Sequence, residues 1–237
     1  MREIFDLILG GTPAKQGDRK LHRDDFAGAI QAYNQALSIN PKDAISYGHR
    51  GAAFAGLGDH KRAVEDYNQA LRLSPNEASL HSNRGISREA LGDIKGAVED
   101  YKRVVLLNSS VPQGHFQLGL AYIKLNNYEY AVKVLNRAIL HNPNYISAYA
   151  FRGFAYTNLK KYEEALKDYK QAINLYPDYA NAYKFRGLMH LETGNKLGAI
   201  EDLHKAAGFF YNQGQLLEHK EILALIQQNP TEINNPR

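Results

Sequence analysis

Arginine stands at 50, 84, 152 and 186, at intervals of 34, 68 and 34 residues. A row of guanidinium groups at one period could grip phosphates, the chemistry of RNA or DNA binding. Aspartate keeps step with it, at 66, 100, 168 and 202. The two charges come and go together, because the same register elsewhere holds Leu118 with Val134 and Gln16 with Ala32. A helical hairpin turning midway between the two positions brings them to one height, so we read Arg50 with Asp66, Arg84 with Asp100, Arg152 with Asp168 and Arg186 with Asp202 as structural pairs. A guanidinium offers a carboxylate two parallel donors. Breaking such a buried pair on one side costs about 3–5 kcal/mol, whereas apolar replacement of both partners can be nearly neutral. Leu118 with Val134 looks like that replacement already made.

Other chemistry finds little footing. The nine histidines include no HExxH and no pair four residues apart, and with no cysteine there is neither a thiolate nucleophile nor a thiolate metal site. No Gly-rich phosphate loop of either common spacing occurs. The densest group, Glu218-His219-Lys220-Glu221, is read as the solvated face of a helix, and His81 and His115 as packing residues. The sequence Asn108-Ser109-Ser110 fits a glycosylation acceptor, a motif too short to carry meaning alone. The expectation is a protein that is not an enzyme, with no catalytic residues, no cofactor and no metal.

The elements that hold the charged pairs follow the same period. Prolines at 41, 75, 143 and 177 align six units without insertion: 10–43, 44–77, 78–111, 112–145, 146–179 and 180–213. Each has glycine at its eighth position (Gly17, Gly51, Gly85, Gly119, Gly153, Gly187) and alanine at its twentieth (Ala29, Ala63, Ala97, Ala131, Ala165, Ala199). The twenty-fourth is Tyr33, Tyr67, Tyr101, Leu135, Tyr169 or Leu203. Apolar spacings of three and four on both sides of turns such as Gly58-Asp59, Gly92-Asp93 and Asn126-Asn127 predict two amphipathic helices per unit. This pattern resembles the tetratricopeptide repeat (TPR) family in period, small eighth residue, alanines and proline. The Gly-Asp turns and Asp-Tyr pairs are similar to bacterial, notably cyanobacterial-type, tandem TPR proteins, some of which assist complex assembly.

The resemblance implies an all-α fold, a right-handed α-α superhelical solenoid of six TPR-like helix-turn-helix units. Segment 214–228 reads as a solvating capping helix, 229–237 as a disordered tail, and 1–9 as a short apolar piece with Ile4, Phe5, Ile8 and Leu9. Two departures stand out: Ser109 replaces the third unit's proline, and the first unit's leading helix is weak, though Thr12-Pro13 fits an N-cap and first helical residue. The N-terminal segment makes a poor signal peptide and no apolar run is long enough for a membrane span, so the expected location is cytoplasmic. A net charge of +4 on 237 residues permits acidic partners without implying nucleic acid.

In the resembling family the first helix of each unit lines a concave groove. Carried over by position, the first half offers small or polar groups, among them Gly48, His49, Ala52, Ser79 and Asn83. The second half offers Phe116, Gln117, Leu120, Lys124, Phe151, Phe154, Asn158, Asn181, Lys184, Phe185 and Leu188. Aromatic and aliphatic groups framed by amides suit the apolar side of a helix or an extended peptide. The implied function is a non-catalytic scaffold, adaptor or assembly factor that holds a partner protein's helix or peptide, with self-association as a variant. An RNA-binding helical-repeat protein is the alternative; it would need unpaired basic groups along the groove. The lysine and asparagine set with which some TPR co-chaperones clamp a C-terminal carboxylate is matched here at Asn83 alone.

Overall fold

In a computed structural model that describes residues 11–229, the described residues form thirteen α-helices and no strand. They are α1 (Pro13–Leu21), α2 (Phe26–Ile39), α3 (Ala44–Gly56), α4 (His60–Leu73), α5 (Ala78–Ala90), α6 (Ile94–Leu107), α7 (Pro112–Lys124), α8 (Tyr128–His141), α9 (Ile146–Asn158), α10 (Tyr162–Leu175), α11 (Ala180–Glu192), α12 (Lys196–Asn212) and α13 (Leu216–Gln228). The fold is an all-α helical-repeat solenoid. Segment 1–9 and everything after Asn229 lie outside the described residues, as do the expectations placed on them. No helix among the described residues is long and apolar enough to cross a membrane.

Local chemistry explains where the helices stop and start. The residue after each first-helix turn has a left-handed backbone, at Asp24, Gly58, Gly92, Asn126, Lys160 and Gly194. Glycine adopts that conformation at no steric cost, and Asp and Asn tolerate it. Lys160, with φ of 60°, has neither advantage. Where aspartate follows, its side chain caps the next helix: Asp25 Oδ1 accepts from Gly28 N at 2.9 Å, Asp59 from Arg62 N at 3.0 Å, and Asp93 from Gly96 N at 2.9 Å. Ser109 does not change the pattern, since α6 ends at Leu107 and is 14 residues long like α2, α4, α8 and α10. Helix α12 is longer, at 17 residues, and runs through Tyr211, which stands at the repeat's proline position.

The chain divides into two compact units, Met1–Gly114 and His115–Arg237. In the first, α1 packs on α2, α3 on α4 and α5 on α6, with buried Ala29, Tyr33 and Ala53, then Phe54, Ala63 and Tyr67, between them. In the second, one cluster joins Leu135, Ala138 and Ala148, and another Ala150, Ala172 and Ala182. The last core gathers Tyr183, Leu203, Ala206, Phe210 and Ile222. Helix α13 follows the last hairpin and shares its core. It buries Ile222 but leaves Leu216 and Leu217 exposed, and His219 turns inward, its Nδ1 2.8 Å from the Ala207 carbonyl oxygen.

The invariant glycine lets the two helices of a hairpin touch. A Cβ on Gly153 would lie 2.7 Å from Cε1 and 2.9 Å from Cδ1 of Tyr169, a buried ring whose hydroxyl is fixed 2.9 Å from Thr157 Oγ1. That ring has nowhere to go. Gly153→Ala is therefore expected to cost about 1–3 kcal/mol, as overpacking does. Gly208, on an open face of α12 with nothing near a built Cβ, supplies the control. Gly208→Ala is expected to gain about 0.4–1 kcal/mol by restricting the unfolded chain. Urea denaturation of both variants checks the pair; equal effects would mean that Tyr169 is free to move.

Candidate functional site

The periodic charges are consumed inside the fold. Arg50 places Nε 2.7 Å from Asp66 Oδ2 and Nη2 2.7 Å from Oδ1. Arg152 does the same to Asp168 at 2.7 and 2.6 Å, and Arg186 to Asp202 at 2.7 and 2.7 Å. All four aspartates are at most 5% exposed. Burial pushes the Asp168 carboxyl above its ordinary range, against the pull of Arg152. His190, 3.9 Å from Asp202, is held below the usual histidine range by burial.

A third bond, made by three of the four arginines, was not legible from positions within single repeats. Arg50 Nη1 donates to Asn34 Oδ1 at 2.6 Å, Arg84 Nη1 to Asn68 at 2.7 Å and Arg152 Nη1 to Asn136 at 2.6 Å. Each asparagine belongs to the preceding repeat. The pair therefore ties neighbouring repeats together as well as the two helices of one hairpin. The signal that could have found it is a second step of sixteen residues, from Asn34 to Arg50 to Asp66.

The aromatic residues of the second unit come together as one row. Tyr145 meets Phe116 at 4.9 Å between ring centres, Phe116 meets Phe151 at 5.7 Å, and Phe151 meets Phe185 at 5.2 Å. Phe154 then meets Phe185 at 5.0 Å and Tyr128 at 6.4 Å. Most contacts are edge-to-face or tilted, the arrangements that ring quadrupoles favour. All these rings are half-buried: Phe116 and Phe151 rest on the Leu135–Ala138–Ala148 core, and Phe185 on the two cores beyond it. Burial pushes the Tyr145 hydroxyl up to about 12. Tyr128 and Tyr145 were absent from the sequence-derived set, because they lie on the second helix and the turn.

Around the row the predicted polar frame is only partly assembled. Lys124 and Asn158 are exposed, while Gln117, Asn181, Leu120 and Leu188 are half-buried. Asn158 spends its Nδ2 on the Phe154 carbonyl oxygen, 2.9 Å away and one turn back in its own helix. The Lys184 ammonium sits 5.9 Å from the ring centre of Phe210. Phe210 lies just past the point where the other second helices end, in the part of α12 that has no counterpart in them.

The first unit differs, as its small residues predict. Between α3 and α5 lies a cleft of about 410 Å³ lined by Ile45, Gly48, His49, Ala52, Leu80 and Asn83. His49 Nδ1 is 2.8 Å from Asp18 Oδ1, which also accepts the Tyr33 hydroxyl at 2.8 Å. Among the described residues no three His, Asp or Glu side chains gather as a metal site.

Known proteins share this architecture. A family model described as "Tetratricopeptide repeat" matches residues 112–145 and 146–179, and one described as "TPR repeat" matches 17–58 and 55–92. The small glutamine-rich tetratricopeptide repeat-containing protein 2 of Mycosarcoma maydis is 31% identical over 55 residues, which span 23% of this chain and 16% of that relative's length. The crystal structure of MamA protein superposes with a TM-score of 0.65 at 26% identity, covering 69% of this chain and 90% of MamA. YrrB, described as a TPR protein with an unusual peptide-binding site, gives a TM-score of 0.63 at 23% identity over 81% of this chain and 99% of its own. At that identity the likeness is one of fold.

Proposed function

The chain belongs to the tetratricopeptide repeat family, and from that premise we propose that it is a non-catalytic, cytoplasmic protein-interaction scaffold whose second unit holds a helix or extended peptide of a partner. The observation that carries the reading is the continuous row from Phe116 through Phe151 and Phe185 to Phe154, half-buried and fixed by ring contacts. Rigid aromatic faces bind apolar side chains with little loss of conformational freedom, which is why they dominate interface energetics. Gln117, Asn181 and the exposed Lys124 flank the row and can satisfy a partner's backbone and rim charges. The RNA reading loses its footing because each of the periodic arginines is bonded to an aspartate.

The test is selection from a displayed random-peptide library on the wild type and on a Phe151→Ala/Phe185→Ala variant, with circular dichroism confirming that the variant is folded at the working temperature. Peptides enriched on the wild type should carry large apolar residues at helical or alternate spacing and should lose binding to the variant. Phe185→Leu, which keeps packing volume and removes the ring face, should weaken the same peptides without unfolding. Peptides held equally by all three proteins would sink the proposal.

A further inference from the structure

One rung of the charge ladder is built differently from the others. In the rungs of Arg50, Arg84 and Arg152 the guanidinium Nη1 ends on a planar asparagine oxygen at 2.6–2.7 Å. In the rung of Arg186 the residue sixteen positions earlier is Lys170. Arg186 keeps both bonds to Asp202, but its Nη1 has no acceptor among the described residues, and neither has the exposed Lys170 ammonium. At that point a cleft of about 270 Å³ opens, lined by Leu166, Lys170, Arg186, His190, Glu201 and Asp202.

We propose that this cleft binds a carboxylate from an acidic segment of a protein partner, with the Lys170 ammonium on one oxygen and Arg186 Nη1 on the other. Three arguments select a carboxylate. The group absent from this rung is a planar oxygen acceptor, and a carboxylate supplies one in the same hybridisation while adding the charge that a lysine in place of asparagine calls for. The charge balance favours the smaller negative charge: Arg186 and Lys170 are set against Asp202 and Glu201, so the lining has no surplus of cations to hold a phosphate dianion, which the two carboxylates repel more strongly than a single carboxylate. Leu166 gives the methylene groups of a glutamate side chain an apolar surface to lie on. The inference does not rest on the aromatic row, because none of its residues lines this cleft.

The experiment titrates the full chain at low salt with acetyl-Glu-Glu-Glu-amide, with acetyl-Gln-Gln-Gln-amide and with inorganic phosphate, reading the Arg186 Nε–H and Leu166 methyl resonances. The glutamate peptide should give saturable shifts at both residues and the glutamine peptide none. Lys170→Asn restores the acceptor of the other three rungs, so it should melt no lower than the wild type and bind the glutamate peptide about fivefold more weakly, the upper end for an exposed ion pair. Lys170→Gln removes the charge by another route and should weaken binding alike. Glutamate shifts that are absent, matched by the glutamine peptide, or unchanged in both variants would overturn the proposal, as would tighter binding of phosphate than of the glutamate peptide.

Discussion

Arg152→Leu is expected to lower stability by about 3–5 kcal/mol, because it leaves the buried Asp168 carboxylate without its partner. Adding Asp168→Val should recover much of that loss. The fourth repeat already carries this arrangement as Leu118, which is buried, and Val134, which is half-buried. The bond to Asn136 is lost in both variants, at small cost, since Asn136 is exposed and water replaces the donor.

The pH dependence separates this account from a general packing defect. Burial holds the Asp168 carboxyl above its ordinary range even with Arg152 in place, and removing Arg152 takes away the influence that lowers it. A carboxyl raised in the folded state contributes stability below its unfolded pKa and loses it as pH rises through the folded value. The Arg152→Leu deficit should therefore be largest near neutral pH and shrink as acid protonates Asp168. The double variant has no such group, so its stability should not converge on the wild type's in the same way. Urea denaturation near neutral pH and at about pH 5 measures both. Additive losses from the two substitutions, or a deficit indifferent to pH, would mean that the pair does not act as a unit.

What the sequence made legible depended on whether an interaction repeats within one unit. The glycine and tyrosine of a hairpin, such as Gly153 and Tyr169, recur at a fixed offset in four of the six units, and so do Arg152 and Asp168. Aligning units exposes both. The Asn136 bond joins consecutive units and vanishes from that alignment, although it recurs in three of the four charged rungs. The surroundings of Lys184 were not legible for a different reason: its ammonium lies near the ring of Phe210, in the part of α12 that runs past the end of the other second helices. The aromatic row was legible as residues but not as a row. Ring contacts depend on side-chain rotamers and on tyrosines outside the first helices, neither of which periodicity records.

The third repeat should be the most sensitive to loss of its aspartate. Asp100, 1% exposed, accepts from Arg84 Nη2 at 2.5 Å and Nε at 3.0 Å, and from Arg88 Nη1 at 2.8 Å, while His81 Nδ1 lies 3.3 Å away. The His81 ring is anchored from behind, its Nε2 3.0 Å from the Pro75 carbonyl oxygen. Two guanidinium groups and an imidazole thus share one buried carboxylate, whereas Asp202 bonds to Arg186 alone, with His190 at 3.9 Å. Arg88 keeps weaker supports, a bond to the Gly96 carbonyl oxygen at 3.1 Å and Asp93 at 3.8 Å. Asp100→Ala should therefore reach or exceed the upper end of about 3–5 kcal/mol, and Asp202→Ala should stay below it. The leucine and valine exchange that rescues the fifth repeat should fail here. Arg84→Leu with Asp100→Val still leaves Arg88 facing an apolar pocket, and recovery should require Arg88→Tyr as well, the residue type that Tyr122 and Tyr156 supply at the same position. Hydrogen exchange should confine the weakening to the first unit. Equal losses from Asp100→Ala and Asp202→Ala, or full rescue with Arg88 untouched, would show that Arg88 and His81 do not depend on this carboxylate.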